Sequence, residues 1–322
     1  MSEIFLYAVI VVLIGLLCLG FIIYKKHTQE FMDSRNELEK RVEEQTSVLK
    51  HKEHEITDSI RYALRIQLSI IPTPQRVKTL LPKSMVFYKP KDIVSGDFYW
   101  VDEIDGEVLF AAVDCTGHGV PGAMMSVIGL KSLNQAVQDK KLSKPCDILQ
   151  HLDIAVNDTL RQSSDVNAVK DGMDLALCNI NYHTLTLQYA GAFNSLCVIR
   201  KNIAVTYKPQ SNKETFYGND LLEFKSDKLP IGSNTDGVAD TFTNNVFQLQ
   251  KDDLIYIYTD GYADQFGGPK AKKFKYNKLK DVLVSMAQLP IEEHFSVLDK
   301  ALKDWQGAQE QVDDVLVIGV RI

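Results

Sequence analysis

Acidic side chains stand where apolar runs break into turns at widely separated places in this sequence. Gly96-Asp97 opens the run Asp97-Phe98-Tyr99-Trp100, Val113-Asp114 closes Leu109-Phe110-Ala111-Ala112, Thr259-Asp260-Gly261 closes Leu254–Tyr258, and Asp313-Asp314 opens Val315 to Val320. The end of a strand puts such a side chain at one rim of a sheet, where several can converge. Oxygen ligands without His or Cys suit Mg2+ or Mn2+, ions that accept few protein ligands and keep several waters. Two such ions side by side would neutralise phosphoryl oxygens and activate a water for in-line attack, with no covalent phosphoenzyme. One Asp-Gly turn means little, because Asp favours turns through its own hydrogen bonds; the weight lies in the set.

These residues need a scaffold, and the pattern beyond Pro74 supplies one. Strands are predicted over 85–89, 97–101, 108–113, 175–180, 185–190, 195–200, 254–258 and 315–320, rich in β-branched and aromatic residues. Helices are predicted over 120–137, 147–161, 275–286 and 290–304. Strands in runs and helices in pairs give an α+β fold, sheets packed on each other and covered by helices, rather than an alternating parallel α/β fold. Residues 209–219 are polar and turn-rich and read as a surface loop. Phe98, Tyr99 and Trp100 read as packing residues on alternate strand faces.

The N-terminal part is of another kind. No charged residue falls between Ile4 and Tyr24; about 21 residues at 1.5 Å each cover roughly 31 Å, the depth of a bilayer core. Glu3 precedes the run and Lys25-Lys26 come after it, the reverse of a cleaved signal peptide. The positive-inside rule then puts the chain after Tyr24 in the cytoplasm, making this a single-pass protein of the inner (cytoplasmic) membrane. From His27 to Ile71 there is neither Gly nor Pro, and Val42, Leu49, Ile56, Ala63 and Ile70 recur every seventh residue. The companion heptad position holds Thr46, Glu53 and Gln67 around a lone Ile60, so the stripe is thin. Two readings stand: a coiled coil that makes a homodimer, or a solvated charged spacer. Pro72 and Pro74 are expected to end the helix.

Composition removes other classes. The 36 Lys+Arg against 42 Asp+Glu leave a net charge of −6, so no global basic field draws the chain to nucleic acid. Five cysteines, Cys18, Cys115, Cys146, Cys178 and Cys197, are odd in number and lack CxxC spacing, against a disulfide framework or a zinc site and in favour of a reducing compartment.

The segments Ser95-Gly96-Asp97-Phe98-Tyr99-Trp100, Asp114-Cys115-Thr116-Gly117-His118-Gly119-Val120-Pro121-Gly122-Ala123, Asp171-Gly172-Met173-Asp174, Ala190-Gly191, Leu229-Pro230-Ile231-Gly232, Tyr258-Thr259-Asp260-Gly261 and Asp313-Asp314 occur in the order found in the stage II sporulation protein E type of PPM metal-dependent serine phosphatases. The resemblance runs from about residue 81 to the end, and residues 58–67 are similar to the helical linker that precedes this domain in membrane-associated or sensor-linked members. It implies a PPM phosphatase-like antiparallel β-sandwich flanked by helix pairs, preceded here by a transmembrane helix and a long helical linker: 1–26 the anchor, 27–72 the coiled-coil linker, 73–322 the phosphatase domain. It implies two Mn2+ or Mg2+ ions bridged by Asp114, with the main-chain carbonyl of Cys115 and the carboxylates of Asp260 and Asp313 as further ligands. Asp97 matches an acidic residue that holds metal-bound water more than the metal itself. Of the pair Asp313-Asp314, which cannot both point one way along a strand, the motif selects Asp313.

The implied catalytic set is Asp97, Asp114 and His118, and the implied substrate is phosphoserine or phosphothreonine on a small regulatory protein of the anti-anti-sigma type. His118 stands further from Asp114 than the corresponding His of the wider family. Two roles are open to it, proton donor to the leaving serine oxygen or turn residue before Pro121. Gly117 and Gly119 permit close packing or offer backbone donors to an anion. No counterpart of the phosphate-binding arginine of eukaryotic relatives is visible. Asp171 and Asp174 read as supporting or as turn carboxylates. Lys270, Lys272, Lys273, Lys275 and Lys278 read as a solvated loop or a steering patch for an acidic phosphoprotein. Two other functions compete: a catalytically inactive, membrane-tethered phosphoprotein-binding module, and a nucleotidyl cyclase, which also uses carboxylates and two metals.

Overall fold

With no Gly or Pro to interrupt it, the segment before Pro72 forms one helix: α1 spans Ser2–Ile70 in the computed structural model, which describes residues 2–161, 171–232 and 240–322. Two compact units divide the chain, one up to Ser59 and one over Ile60–Ile322. In the first, α1 contains a window of mean hydropathy 3.0, long and apolar enough to cross a membrane. Past that window its surface is laced by pairs one turn apart, such as Arg35 with Glu39 and Arg41 with Glu37, while Val42, Leu49 and Ile56 are exposed.

In the second unit the strands are β1 (Ser84–Lys89), β2 (Phe98–Ile104), β3 (Glu107–Cys115), β4 (Met173–Asn181), β5 (Thr186–Ala192), β6 (Leu196–Ile199), β7 (Glu214–Tyr217), β8 (Leu221–Phe224), β9 (Asn245–Gln248), β10 (Leu254–Tyr258), β11 (Phe266–Gly267), β12 (Lys272–Lys273) and β13 (Val315–Arg321). They form a six-stranded sheet in the order β1-β13-β10-β6-β8-β7, a five-stranded sheet β2-β3-β4-β5-β9 and a small β11-β12 ribbon, with every pair antiparallel. The helices are α2 (Pro74–Leu80), α3 (Gly119–Asn134), α4 (Pro145–Arg161), α5 (Ile203–Thr206), α6 (Gly261–Asp264), α7 (Tyr276–Ser285) and α8 (His294–Gln306).

The period-2 alternation of the strands divides the core into layers. Phe110, Ala176, Tyr189, Ile255 and Leu316 pack between the two large sheets. Leu109, Leu175 and Leu177 pack outward against Leu130 and Leu133 of α3 and Leu149 and Leu152 of α4. Phe87, Tyr256 and Val317 pack against Leu279 and Leu283 of α7 and Leu298 and Leu302 of α8. The result is the expected sandwich of two antiparallel sheets between helix pairs.

Three local expectations are corrected. Pro74 does not merely follow a helix end but opens α2, where its missing N–H costs nothing and Thr73 Oγ1 accepts from Arg76 N at 3.2 Å. Residues 209–219 are not wholly loop: Glu214–Tyr217 is the edge strand β7, joined to β8 by a turn in which Gly218 has φ +63°. A polar outward face, common on edge strands, had hidden it. The helix predicted over 120–137 ends as α at Asn134 and continues as a π turn over Gln135–Asp139.

Candidate functional site

Alternation along β3 sets the direction of its last carboxylate. Leu109, Ala111, Val113 and Cys115 face α3 and α4, while Val108, Phe110 and Ala112 face the other sheet. Asp114 is next in the second series, so it lies on the inter-sheet face at the strand's end. On β4 the same count puts Asp174 on that face, and the register sets it directly opposite Asp114. Asp97, just before β2, is buried. From the other sheet come Thr259 and Asp260 after β10, and Asp313 and Asp314 before β13. Five strands thus deliver acidic residues to one rim of the sandwich.

The carboxyls act on one another. Burial raises Asp97 well above the usual carboxylate range; the Thr259 hydroxyl, which donates to its Oδ2 at 2.6 Å, opposes this, and Asp314, Asp313 and Asp260 add to it. Asp114 is raised by burial and then by Asp97, Asp260, Asp313 and Asp174. Asp260 is raised by burial and by Asp264 and Asp313, and a hydrogen bond with Asp114 offsets part of that. Asp174 is pushed up to about 6 by burial and Asp260. Asp313 is raised by burial, against the Asp314 backbone N–H, Lys91 and His118.

Among the described residues, no three His, Cys, Asp or Glu side chains are drawn together into a ready ion cage. The donor set nevertheless fits a hard divalent cation: oxygen only, and crowded with like charge that a cation would relieve.

Several neighbours fix these positions. Both oxygens of the buried Asp314 accept backbone N–H groups, Oδ1 from Lys91 at 2.7 Å and Oδ2 from Gly96 at 2.8 Å. Gln67, near the end of α1, is buried: its Nε2 donates to Ser95 O at 2.7 Å and to Ser126 Oγ at 2.8 Å, and its Oε1 accepts from Ser95 N at 3.2 Å. Gly96 and Gly122 both back onto the Gly117 carbonyl, leaving no room there for a side chain. The Thr259 hydroxyl accepts from Leu316 N at 3.1 Å while donating to Asp97, tying β10, β13 and the start of β2 together.

Gln67, Thr259 and Asp314 were not read as supports from sequence, whereas Asp174 was, as one of two readings. The visible signal for Gln67 was a polar residue breaking the heptad stripe; for Asp174 it was strand parity.

Of the other candidates, Cys115 has a buried thiol, and its carbonyl lies against Gly96. His118 precedes α3 on the surface, with Nδ1 2.6 Å from Asp92 Oδ2 and Nε2 3.0 Å from Lys91 Nζ. Within the basic run, Lys273 pairs with Asp264 at 2.6 Å and Lys278 Nζ lies 3.3 Å from the centre of a Trp305 ring.

The family model for the stage II sporulation protein E family matches residues 104–322. No curated protein matches the chain by sequence. Among solved structures, the chain is similar to the SiaA-PP2C domain of Pseudomonas aeruginosa, with a TM-score of 0.70 and 29% identity over 84% of this chain and 98% of that one. It also resembles the PP2C phosphatase domain, with a fragment of the regulatory domain, of SpoIIE from Bacillus subtilis, with a TM-score of 0.54 and 18% identity over 74% of this chain and 61% of that one. A third neighbour holds the RsbU and RsbW domains of a Mycobacterium tuberculosis protein, with a TM-score of 0.52 and 18% identity over 75% of this chain and 60% of that one.

Proposed function

The chain belongs to the stage II sporulation protein E family of PPM-type protein phosphatases, and from that premise we propose that it removes phosphate from phosphoserine or phosphothreonine on a regulatory protein of the anti-anti-sigma type. The observation that carries this reading is the convergence of Asp97, Asp114, Asp174, Asp260 and Asp313 on one rim, each with its carboxyl raised by burial and its acidic neighbours. Asp114, Asp260, Asp313 and the Cys115 carbonyl would hold two Mn2+ or Mg2+ ions, with Asp97 alongside. When bound, the ions supply charge that neutralises the phosphoryl group and acidity that activates a water.

The chain's own residues prepare for this. Thr259 orients the Asp97 carboxyl, and Asp314 pins the loop before β2 through two backbone donors. His118 takes either of two roles, proton donor to the leaving oxygen or partner of Asp92 at the start of α3. The apolar N-terminal part of α1 would anchor the protein in the inner membrane with the phosphatase unit in the cytoplasm, and Val42, Leu49 and Ile56 offer a seam for a homodimer.

The test uses the full chain in detergent. With Mn2+ it should release phosphate from a phosphoserine protein and from an aryl phosphate, lose this on chelation, and lose at least about 100-fold in Asp114→Asn, beyond what outer-shell changes cost. Turnover unaffected by chelator ends the proposal. Because no three ligands among the described residues are drawn together, the second reading is an inactive module that holds a phosphoprotein; tight phosphoprotein binding without turnover would favour it.

A further inference from the structure

The rim is crowded with carboxyls, so the few cations that reach it matter. Among the described residues, Lys273 acts on Asp260, and Lys91 and His118 act on Asp313. Lys273 is committed to Asp264 at 2.6 Å, and His118 to Asp92 at 2.6 Å. Lys91 has no carboxylate partner among the described residues; its Nζ lies 3.0 Å from His118 Nε2.

An ammonium can only donate, so His118 Nε2 is the acceptor and the ring proton sits on Nδ1, facing the Asp92 carboxylate. The chain Asp92–His118–Lys91 therefore leaves the ammonium with donors to spare. At its other end, Lys91 is anchored through its backbone N–H to Asp314 Oδ1 at 2.7 Å, one residue from Asp313. A four-carbon stem is thus rooted beside the acidic rim, and its tip rests on an imidazole.

We propose that Lys91 is the residue that grips the phosphoryl dianion of the substrate, and that His118 and Asp92 are positioning residues that keep its ammonium off Asp313 until the anion arrives. This rests on the phosphatase reading above and adds the group that recognises phosphate in a chain without a matching arginine. The chemistry suits a lysine, a point charge that binds phosphate without bidentate geometry. If Lys91 swung onto Asp313 instead, it would compete with a cation for that carboxylate; His118 Nε2 removes the incentive by offering an acceptor of its own. Contact with non-bridging oxygens is made equally to substrate and transition state, so its loss raises KM and leaves kcat nearly unchanged.

The experiment uses the Mg2+-loaded full chain in detergent, an aryl phosphate as substrate and inorganic phosphate as the probe ligand, the latter measured both as an inhibitor and by calorimetry. Lys91→Gln should raise KM and weaken phosphate binding about tenfold or more, the loss of one charge-assisted hydrogen bond, with kcat within about twofold. Lys91→Arg should restore most of both. Lys251→Gln, which removes an exposed lysine before β10 at the opposite end of that strand from Asp260, should leave both at wild-type values. Asp92→Asn should raise KM less than Lys91→Gln does.

Equal phosphate affinity in wild type and Lys91→Gln overturns the proposal, as does a fall in kcat alone that Lys91→Arg does not rescue. Because calorimetry reads phosphate without turnover, a wild-type chain that binds phosphate through Lys91 yet hydrolyses nothing would sink the phosphatase reading and leave this assignment standing.

Discussion

Asp97→Asn should make the metal-free protein more stable and abolish the stabilisation that Mn2+ confers. Asp97 is 2% exposed, and burial together with Asp314, Asp313 and Asp260 holds its carboxyl far above the usual range. Asn is nearly the same size and keeps an acceptor for the Thr259 hydroxyl, now 2.6 Å from Oδ2, but removes one charge from a self-repelling set. Relief of this kind contributes about 0.5–2 kcal/mol. In a domain of this size each kcal/mol moves the melting temperature by about 2–4 °C, so in chelator the variant should melt about 1–8 °C above wild type. Mn2+ at about 100 times its dissociation constant stabilises wild type by about 2.7 kcal/mol. That is a rise of roughly 5–11 °C, whereas the variant should barely move, so the order of the two proteins reverses. Tryptophan fluorescence of the full chain in detergent is the assay, because both tryptophans, Trp100 and Trp305, lie in the globular unit and the N-terminal helix is silent. A variant that melts below wild type in chelator, with an equal Mn2+ shift in both, refutes the claim that these carboxyls repel one another around a cation site.

Asp174, pushed up to about 6, pays for its charge in the folded state at pH 8; as pH falls through 6 the native state takes up the proton and recovers that stability, down to the unfolded value of about 3.9. Asp174→Asn should therefore melt above wild type at pH 8 and lose the advantage between about pH 6 and 4, a difference in which buried histidines cancel; an advantage that stays constant from pH 8 to 4 contradicts it. Gln67→Ala strands the Ser95 amide and carbonyl, while the Ser126 hydroxyl keeps its bond to the Ala123 carbonyl. At about 1–3 kcal/mol for each buried group left unpaired, a loss of at least about 2 kcal/mol should appear in thermal melting, and no loss would mean that water replaces the amide. Gly261→Ala drives a methyl into the Asp314 carbonyl and should cost about 1–3 kcal/mol, together with Mn2+ binding, since Asp260 and Asp313 flank the collision; unchanged binding by calorimetry would show that the rim adapts.

Much of the architecture could be read from residue order because burial patterns announce themselves locally. Leu109 to Val113 and Val315 to Val320 are apolar on both faces, which only a strand covered on two sides explains, and the chain uses them in the middle of its sheets. Glu214–Tyr217 and Asn245–Gln248 are short edge strands, half polar, whose identity depends on their partners: β8 across a tight turn for the first, and β5, far along the chain, for the second. The same holds at the rim. The Asp-bearing turns were legible, since Asp97, Asp114, Asp260 and Asp313 each sit where an apolar run ends. Their supports were not: Gln67 reaches Ser95 across 28 positions and Thr259 reaches Asp97 across 162, contacts made by tertiary packing rather than spacing.

The supports explain why such a rim survives at all. Like charges gathered at a strand end would normally open the turns that carry them, because each turn is free to swing toward water. Here each turn is held by a group outside the proposed ligand set. Thr259 grips Asp97 from the neighbouring sheet, Asp314 draws the Lys91 and Gly96 amides inward, and Gly96 and Gly122 close on the Gly117 carbonyl so that the turn after β3 cannot retreat. Stability is thus provided by neutral or already satisfied partners, and the repulsion among Asp97, Asp114, Asp260 and Asp313 stays unrelieved until a cation enters. A site arranged in this way has the backbone of its turns fixed before its ion arrives, and the carboxyls close on the ion from there. The free energy of ion binding then goes into charge neutralisation rather than folding of the loops, which is why substitutions at the supports should weaken ion binding even though they remove no ligand.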